Sequence, residues 1–328
     1  MKGNSTDTCL GFDRSVTGWL FLIVGSIHAV MTFLTIIVSS LLSKAYPSYI
    51  LFAGIGIADL GTILNVCWFS GVSTLTKSWV GSHYSFLTLD SFAVSGFYFH
   101  VAIAGTRFMA LVFPLKYQAV FTRKLCTVIS VIYFIMGTTH TVILNSIDYF
   151  RFLYDPDICG FAFTGVDHPD FYLVPLQWII LEIIIVGLCA CFYSGAAVAR
   201  CCAGSGGAQQ AAQKAERKLT IACATNSFFL ALLSVVVNVL PLLTNDTATI
   251  GVVFSNMFVI ANSGVNPYLY WFLSDTFRKK FNSIFCKYSL RIVANSDAGS
   301  TSQSANTGTQ NTVTRKNTVH AKQSTTAT

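Results

Sequence analysis

Long apolar runs separated by short polar segments dominate this chain. Seven runs are rich in Phe, Leu, Ile and Val, at residues 16–42, 48–71, 84–111, 125–147, 171–199, 218–243 and 249–271. A helix needs about 20 apolar residues to cross the roughly 30 Å hydrocarbon core of a bilayer. The apolar residues are continuous and do not alternate with polar ones, which argues against membrane-spanning β-strands. The pattern therefore predicts an all-α bundle of seven membrane-spanning helices over residues 16–271.

The segments outside these runs complete the predicted domain organisation. They are an extracellular N-terminus at 1–15, an amphipathic eighth helix at 272–287 and a disordered cytoplasmic tail at 288–328. The aromatic residues of the eighth helix recur at every fourth position and flank a basic stretch, at Phe277, Phe281 and Phe285. This arrangement is typical of a basic helix that lies on anionic membrane lipid.

The composition narrows the class of protein. Hydrophobic residues make up 53% of the chain and charged residues only 11%, whereas roughly a quarter of the residues in soluble domains are charged. A soluble enzyme is therefore excluded, and no nucleic-acid partner is expected. Most of the cysteines lie in apolar runs, and no Cys-x-x-Cys or Cys/His spacing typical of metal ligands occurs. No nucleophile is paired with a base, so the sequence does not predict an enzyme.

The distribution of charges predicts the orientation in the membrane. With the N-terminus outside, the outer segments carry four Lys and Arg residues and the inner segments carry seventeen. Because Lys and Arg accumulate on the cytoplasmic side, we predict an extracellular N-terminus and a cytoplasmic C-terminus in the plasma membrane. Two Asn-x-Ser/Thr sequons, at Asn4 and Asn245, both fall on the outer side and are candidate glycosylation sites.

Three short motifs lie within these runs. The last run contains Asn-Pro-x-x-Tyr at 266–270, followed after six intervening residues by Phe277. Pro267 removes a backbone donor and bends the helix, so polar neighbours must satisfy the freed carbonyl, and such a bend can adopt two arrangements. The third run ends near Thr106 and Arg107, and the second run contains Asp59.

These motifs, in this order and spacing, resemble those of rhodopsin-like G-protein-coupled receptors. In that family Asn-Pro-x-x-Tyr ends helix seven, an acid lies in helix two, and the helix-three arginine precedes a helix end and second inner loop similar to residues 109–117 here. The chain also departs from the family pattern. Thr106 stands where an acid normally precedes the arginine, and the Cys-Trp-x-Pro of helix six and the helix-three cysteine are missing. The combination is similar to the divergent serpentine chemoreceptors of nematodes.

The resemblance implies an activation switch at the inner end of the bundle. Arg107 would contact a heterotrimeric G protein in the active state, and Tyr270 would swing inward together with the bend at Asn266 and Pro267. Glu216, just before helix six, either pairs with Arg107 in the resting state or remains a solvated loop charge.

A polar cluster is predicted in the middle of the bundle, because an ionised carboxylate inside a membrane needs a partner. The resemblance places Asp59 near helix seven and sets Ser95 or Gly96 of helix three beside it. The expected members are Asp59, Asn262, Ser263, Asn266 and Ser95. In the family such a cluster can hold a sodium ion, and a protonated or water-bound Asp59 is the alternative.

A ligand pocket is implied among the outer halves of helices three, five, six and seven. The residues available there are Phe86, Asp90, Phe97, Gln177, Trp178, Glu182 and Asn238. Cys9 and Cys159 are the cysteines most clearly outside, in an oxidising compartment, so a disulfide between them is a candidate, with Cys67 as the alternative partner.

Inside the cell, the sequence offers sites for modification. Cys286 is a candidate palmitoylation site after the eighth helix. The last thirty-three residues contain fourteen Ser and Thr, which suits phosphorylation by a kinase and binding of arrestin, or serves only to keep the tail soluble.

The predicted function is reception of an extracellular ligand, a small-molecule chemosensory cue, and activation of a heterotrimeric G protein. A neurotransmitter or peptide receptor of the same family is one alternative. A membrane transporter or channel is another, and it would require a continuous path of intramembrane charges or broken helices in two repeats. The sequence shows neither feature.

Overall fold

The computed structural model describes residues 8–9, 12–78, 83–146, 151–155, 160–164, 173–202, 217–232 and 248–284. The helices in this part of the chain are α1 Arg14–Leu42, α2 Tyr49–Ile63, α3 Ser70–Thr76, α4 His83–Val112, α5 Pro114–Val120, α6 Arg123–Asn145, α7 Leu173–Cys202, α8 217–232, α9 Ala248–Leu273 and α10 275–284. A π-helix, Leu64–Phe69, joins α2 to α3 in one continuous rod. One rod lies in each of the seven apolar runs of the sequence.

Four helices of the described chain are long and apolar enough to cross a membrane. They are Arg14–Leu42, Tyr49–Thr76, Arg123–Leu144 and Ile179–Ala199. The second of these is 72% buried over its most apolar window, whereas the last two are 17% buried. The rod formed by α2, the π-helix and α3 therefore lies inside the bundle. In contrast, α6 and α7 expose most of their apolar surface, as lipid-facing helices do.

The helices pack around α2 and α4. α4 contacts α2, α6 and α7, while α1 contacts α2, α3 and α9. One core cluster joins α1, α2, the π-helix and α9 through Phe21, Ile63, Val66, Cys67 and Ile260. These contacts bring the second, third and last membrane runs together, which is the arrangement that the site requires.

Side-chain hydrogen bonds define where several helices begin and bend. The carboxylate of Asp13 accepts from the backbone of Ser15 at 2.7 Å and so caps α1. Within the π-helix, the amide of Asn65 donates to the carbonyl of Gly61 at 2.7 Å and accepts from Thr88 of α4 at 3.1 Å. The wide turn of helix two is thus held by a polar contact to helix three.

Two hairpins and one helix lie in segments that the sequence presented only as loops. β1 (Thr8–Cys9) pairs with β2 (Phe12–Asp13), and β3 (Arg151–Asp155) pairs antiparallel with β4 (Gly160–Thr164). β3 contacts α4 and β4 contacts α9. The short helix α5 begins with Pro114 at its first position, where a missing backbone donor has no cost.

The contacts divide the chain into two compact units, Met1–Asn282 and Ser283–Thr328. The helical bundle belongs to the first unit. The predicted boundaries of the eighth helix and of the tail remain predictions, because residues from 285 onward lie outside the described chain.

Candidate functional site

Arg107 lies near the end of α4 and is only 1% exposed. Its Nη2 donates to Ser48 Oγ at 3.0 Å and to Tyr117 OH at 3.2 Å. Its guanidinium carbon lies 5.7 Å from the ring centroid of Phe52 and 5.9 Å from that of Tyr117. Hydrogen bonds and cation–π contacts offset part of the cost of removing the charge from water. The side chain is therefore folded into the bundle between the start of α2 and α5.

The local sequence explains this arrangement. Thr106, at the position of the family's acid, is fully buried and donates to the carbonyl of Ile103 on its own helix at 2.7 Å. A hydroxyl satisfied in this way does not supply a charge for Arg107. Phe113 ends α4 with a non-helical backbone (φ −130°, ψ 62°), and α5 then carries Tyr117 back to the guanidinium. The inner loop thus provides a partner where helix three does not.

Tyr270 connects the Asn-Pro-x-x-Tyr motif to the same place. Its side chain is 2% exposed, and its ring meets Phe52 edge to face at 5.0 Å and Phe277 at 6.1 Å between centroids. Phe52 therefore contacts both Arg107 and Tyr270. We call Arg107, Phe52, Tyr270 and Phe277 the switch cluster, because a displacement of α9 or α10 must disturb the surroundings of Arg107.

The structure brings Asp59 and Asn266 into contact in the middle of the bundle. Asn266 Nδ2 donates to Asp59 Oδ2 at 2.6 Å, and both residues are buried, as is Ser263. The Oδ1 atoms of Asn262 and Asn266 are buried and have no hydrogen-bond partner among the described residues. Hard cations take oxygen ligands. A carboxyl group with two unused amide oxygens on the neighbouring helix therefore fits a sodium ion.

The predicted position of Ser95 in the polar cluster is wrong. The hydroxyl of Ser95 donates to the carbonyls of Ser91 and of Tyr133 on α6, so Ser95 faces α6 and not the polar cluster. The next residue of α4, Gly96, faces α2: its ideal Cβ lies 3.9 Å from that of Ala58. Adjacent residues point about 100° apart around a helix, and this rotation decides between them.

Asp90 also faces a different helix from the one expected. It is buried and accepts a hydrogen bond from Thr141 of α6 at 3.0 Å. Asp90 therefore lies on the side of α4 that packs against α6. Phe97 packs in a cluster with Ile185 of α7 and Leu230 of α8; its role in a ligand pocket stays a prediction. On α7, Glu182 is partly buried and Gln177 is exposed.

The remaining predicted residues lie outside what the structure describes. For Phe86, Trp178 and Cys9 the side chains are not described, and the residues wholly outside are Asn4, Cys159, Glu216, Asn238, Asn245 and Cys286. The predicted Arg107–Glu216 pair, the Cys9–Cys159 disulfide and the sites for glycosylation, palmitoylation, kinase and arrestin therefore stay predictions.

The inner end also contains an ion pair that the sequence did not predict. Lys218 Nζ lies 2.7 Å from Asp275 Oδ2, and Arg278 Nη2 contacts Asp275 Oδ1. The hydrogen bond from Lys218, together with the charges of Lys218 and Arg278, lowers the pKa of Asp275. A signal for Asp275 was present in the sequence: it lies three residues before Arg278, at the start of the eighth helix.

Comparison with known proteins identifies the family. Residues 21–265, well over half of the chain, match the family described as serpentine type 7TM GPCR chemoreceptor Srx. No curated protein gives a match. The match covers Asp59, Arg107 and the first residues of the polar cluster on α9, and it confirms both the seven-helix fold and the predicted resemblance to nematode-type serpentine receptors. This multi-pass membrane protein therefore belongs to the Srx family of serpentine-type seven-transmembrane GPCR chemoreceptors.

Proposed function

We propose that this receptor binds an extracellular small-molecule cue and activates a heterotrimeric G protein through Arg107, with its N-terminus outside and its C-terminus in the cytoplasm. The observation that carries the proposal is the burial of Arg107 in the switch cluster, next to Tyr270. The two hydrogen bonds that hold the guanidinium are accepted by neutral hydroxyls. When these two bonds break, they leave no buried, unpaired carboxylate behind, so the release of Arg107 is less costly than the breaking of a buried ion pair.

Activation requires that the ligand prefer a second arrangement of the bundle. To move a two-state equilibrium from 1:99 to 99:1, a ligand must bind the favoured state with about 5.5 kcal/mol of differential affinity. In that state α8 moves outward, the guanidinium of Arg107 no longer packs against the ring of Phe52, and it reaches the G protein. Phe97, Ile185 and Leu230 join α4, α7 and α8, so a ligand seated among these helices can bias their packing.

A cell-based screen tests this function directly. The receptor is expressed with promiscuous G-protein reporters and challenged with volatile and soluble small molecules, with amines and peptides included to test the neurotransmitter and peptide alternatives. A ligand that drives current or uptake in cells without G proteins would show a transporter or channel instead.

We infer that a sodium ion binds at Asp59, Asn262 and Asn266. The thermal stability of the purified receptor should then be greater in sodium chloride than in potassium chloride of equal concentration, by about 1.4 kcal/mol at ten times the Kd of the ion. Asp59→Asn should remove this difference. Asp90→Asn, which alters a buried carboxyl group on the α6 side of α4, should retain it. Equal stability of the unaltered receptor in the two salts would exclude the ion.

We also infer that Leu115 docks the G protein. This residue lies on α5, two positions before Tyr117, and is 84% exposed, although an apolar side chain of this size gains by burial against a partner. Leu115→Ala should lower ligand-stimulated nucleotide exchange by about tenfold, the effect of losing ~1.4 kcal/mol of binding. Gln118→Ala, on an exposed polar position of the same helix, should have little effect, and equal losses in both variants would contradict a specific role for Leu115.

A further inference from the structure

Asp275 has a fixed position at the start of α10. Ser274, which is buried, accepts from the backbone N–H of Phe277 at 3.3 Å and caps the helix. Asp275 is the first helical residue, where the helix dipole favours a negative charge. Arg278, one turn later, contacts its Oδ1. The carboxylate is therefore held by its own helix before any other element contributes.

This start of α10 is tied to the last turn of α9. The backbone N–H of Ser274 donates to the carbonyl of Tyr270 at 3.0 Å, and the rings of Tyr270 and Phe277 are in contact. Asp275 therefore moves together with Tyr270. Because of this link, we expect a displacement of the switch cluster to displace Asp275 as well, although Asp275 lies outside the membrane runs.

Lys218 approaches from a different helix. It is the second residue of α8, whose next turn is anchored in the bundle by the buried side chains of Leu219, Ala222 and Cys223. Its contact with Asp275 joins two elements that are 57 residues apart in the chain. The two side chains are 39% and 38% exposed. The pair thus bridges the beginning of α8 and the beginning of α10, which follows α9, at the surface of the protein.

We propose that the Lys218–Asp275 pair is an autoinhibitory latch that holds α8 against α10 in the resting receptor, and that Asp275 stays with Arg278 when α8 moves away. The inference rests on the proposed function in one respect, namely that α8 moves during G-protein activation. Each carboxylate oxygen of Asp275 has its own cation, Lys218 at Oδ2 and Arg278 at Oδ1. When the latch opens, Asp275 keeps a partner and Lys218 gains water.

The weakness of the pair suits this role. Partly exposed ion pairs contribute little to stability, and salt screens them. A latch of this kind shifts the resting equilibrium without preventing a ligand from overcoming it. Lys218 and Arg278 lower the pKa of Asp275, so the carboxylate stays charged at neutral and mildly acidic pH and can pair with Lys218 there.

A spin-label distance measurement on the full-length receptor in lipid nanodiscs tests the latch independently of signalling. Labels on genetically encoded residues at positions 217 and 282, both exposed, report the separation of α8 and α10 without using the native cysteines. Lys218→Asp and Asp275→Lys should each shift the distances to longer values and raise basal nucleotide exchange about two- to fivefold. The double exchange Lys218→Asp with Asp275→Lys should restore both readouts. Lys124→Asp, the same charge change at an exposed site at the start of α6, should change neither.

The two readouts separate the latch from the proposed function. Unchanged distances in both single variants would overturn the latch, and so would longer distances that the double exchange does not restore. Longer distances that are restored support the latch. If basal exchange then fails to respond in any variant, the result counts against G-protein coupling alone.

Discussion

Ligand-stimulated G-protein activation should fall about 30-fold or more, to near background, when Arg107 is replaced by Ala. Residues that dominate an interface cost about 2 kcal/mol or more when truncated, and arginine is enriched among them; this loss corresponds to about 30-fold in coupling. The measurement is nucleotide exchange on a reconstituted G protein, with ligand binding recorded in parallel. Arg123→Ala, an exposed arginine at the start of α6, is the matched control and should remain active.

A second pair of variants separates coupling from folding. Ser48→Ala and Tyr117→Phe each remove one hydroxyl that accepts from Arg107, so the resting position of the guanidinium is weakened while the arginine remains. Both should raise basal activity, in the opposite direction to Arg107→Ala. If the Arg107→Ala receptor reaches the cell surface, binds ligand and still activates the G protein normally, the assigned role of Arg107 is wrong.

Gly25→Ala should reduce the amount of folded receptor severalfold. An ideal Cβ at Gly25 would lie 2.1 Å from the Cβ of Cys67 and 2.6 Å from its sulfur. The Cβ of Cys67 is bonded to the backbone and cannot rotate away, so α1 and the π-helix must separate and loosen the cluster around Phe21. Overpacking of this kind costs about 1–3 kcal/mol, and a loss of this size lowers the abundance of a protein in cells severalfold.

Gly187→Ala is the control for this prediction. Gly187 lies on α7, and an added Cβ there meets nothing within 4 Å. Both substitutions gain the same helix propensity, about 1 kcal/mol, so only the close contact distinguishes them. Surface expression and the thermal midpoint of the purified receptor should fall for Gly25→Ala and stay equal or rise for Gly187→Ala. Equal behaviour of the two variants would show that α1 does not need this close approach.

The number of helices could be predicted from the sequence because it depends on local composition. Each apolar run is long enough to span a bilayer, and a backbone in lipid must satisfy its own hydrogen bonds, so a run of this kind has only one structure available. The short hairpin β3–β4 and helix α5 lie in polar segments where composition sets no such constraint. The sequence therefore indicated the membrane helices and left the connecting structure open.

The motifs could also be recognised from the sequence, because Asn266, Pro267 and Tyr270 have a fixed spacing along a single helix. The same holds for Asp59 and Arg107 as single residues within recognisable runs. Their order along the chain was enough to indicate the receptor family, which the match over residues 21–265 shows.

The partners of these residues depended on tertiary structure. The sequence offered Glu216, which lies outside the described residues, as one candidate partner of Arg107, and gave no sign of the contacts that the guanidinium makes with Ser48, Phe52 and Tyr117. One residue along α4 decided that Gly96, and not Ser95, lies beside α2, because it turns the side chain by about 100°. Rotation and depth of one helix against another arise from packing over the whole bundle. The amino-acid order thus determined which groups exist and on which helix they lie, and only the packed bundle decided which of them meet.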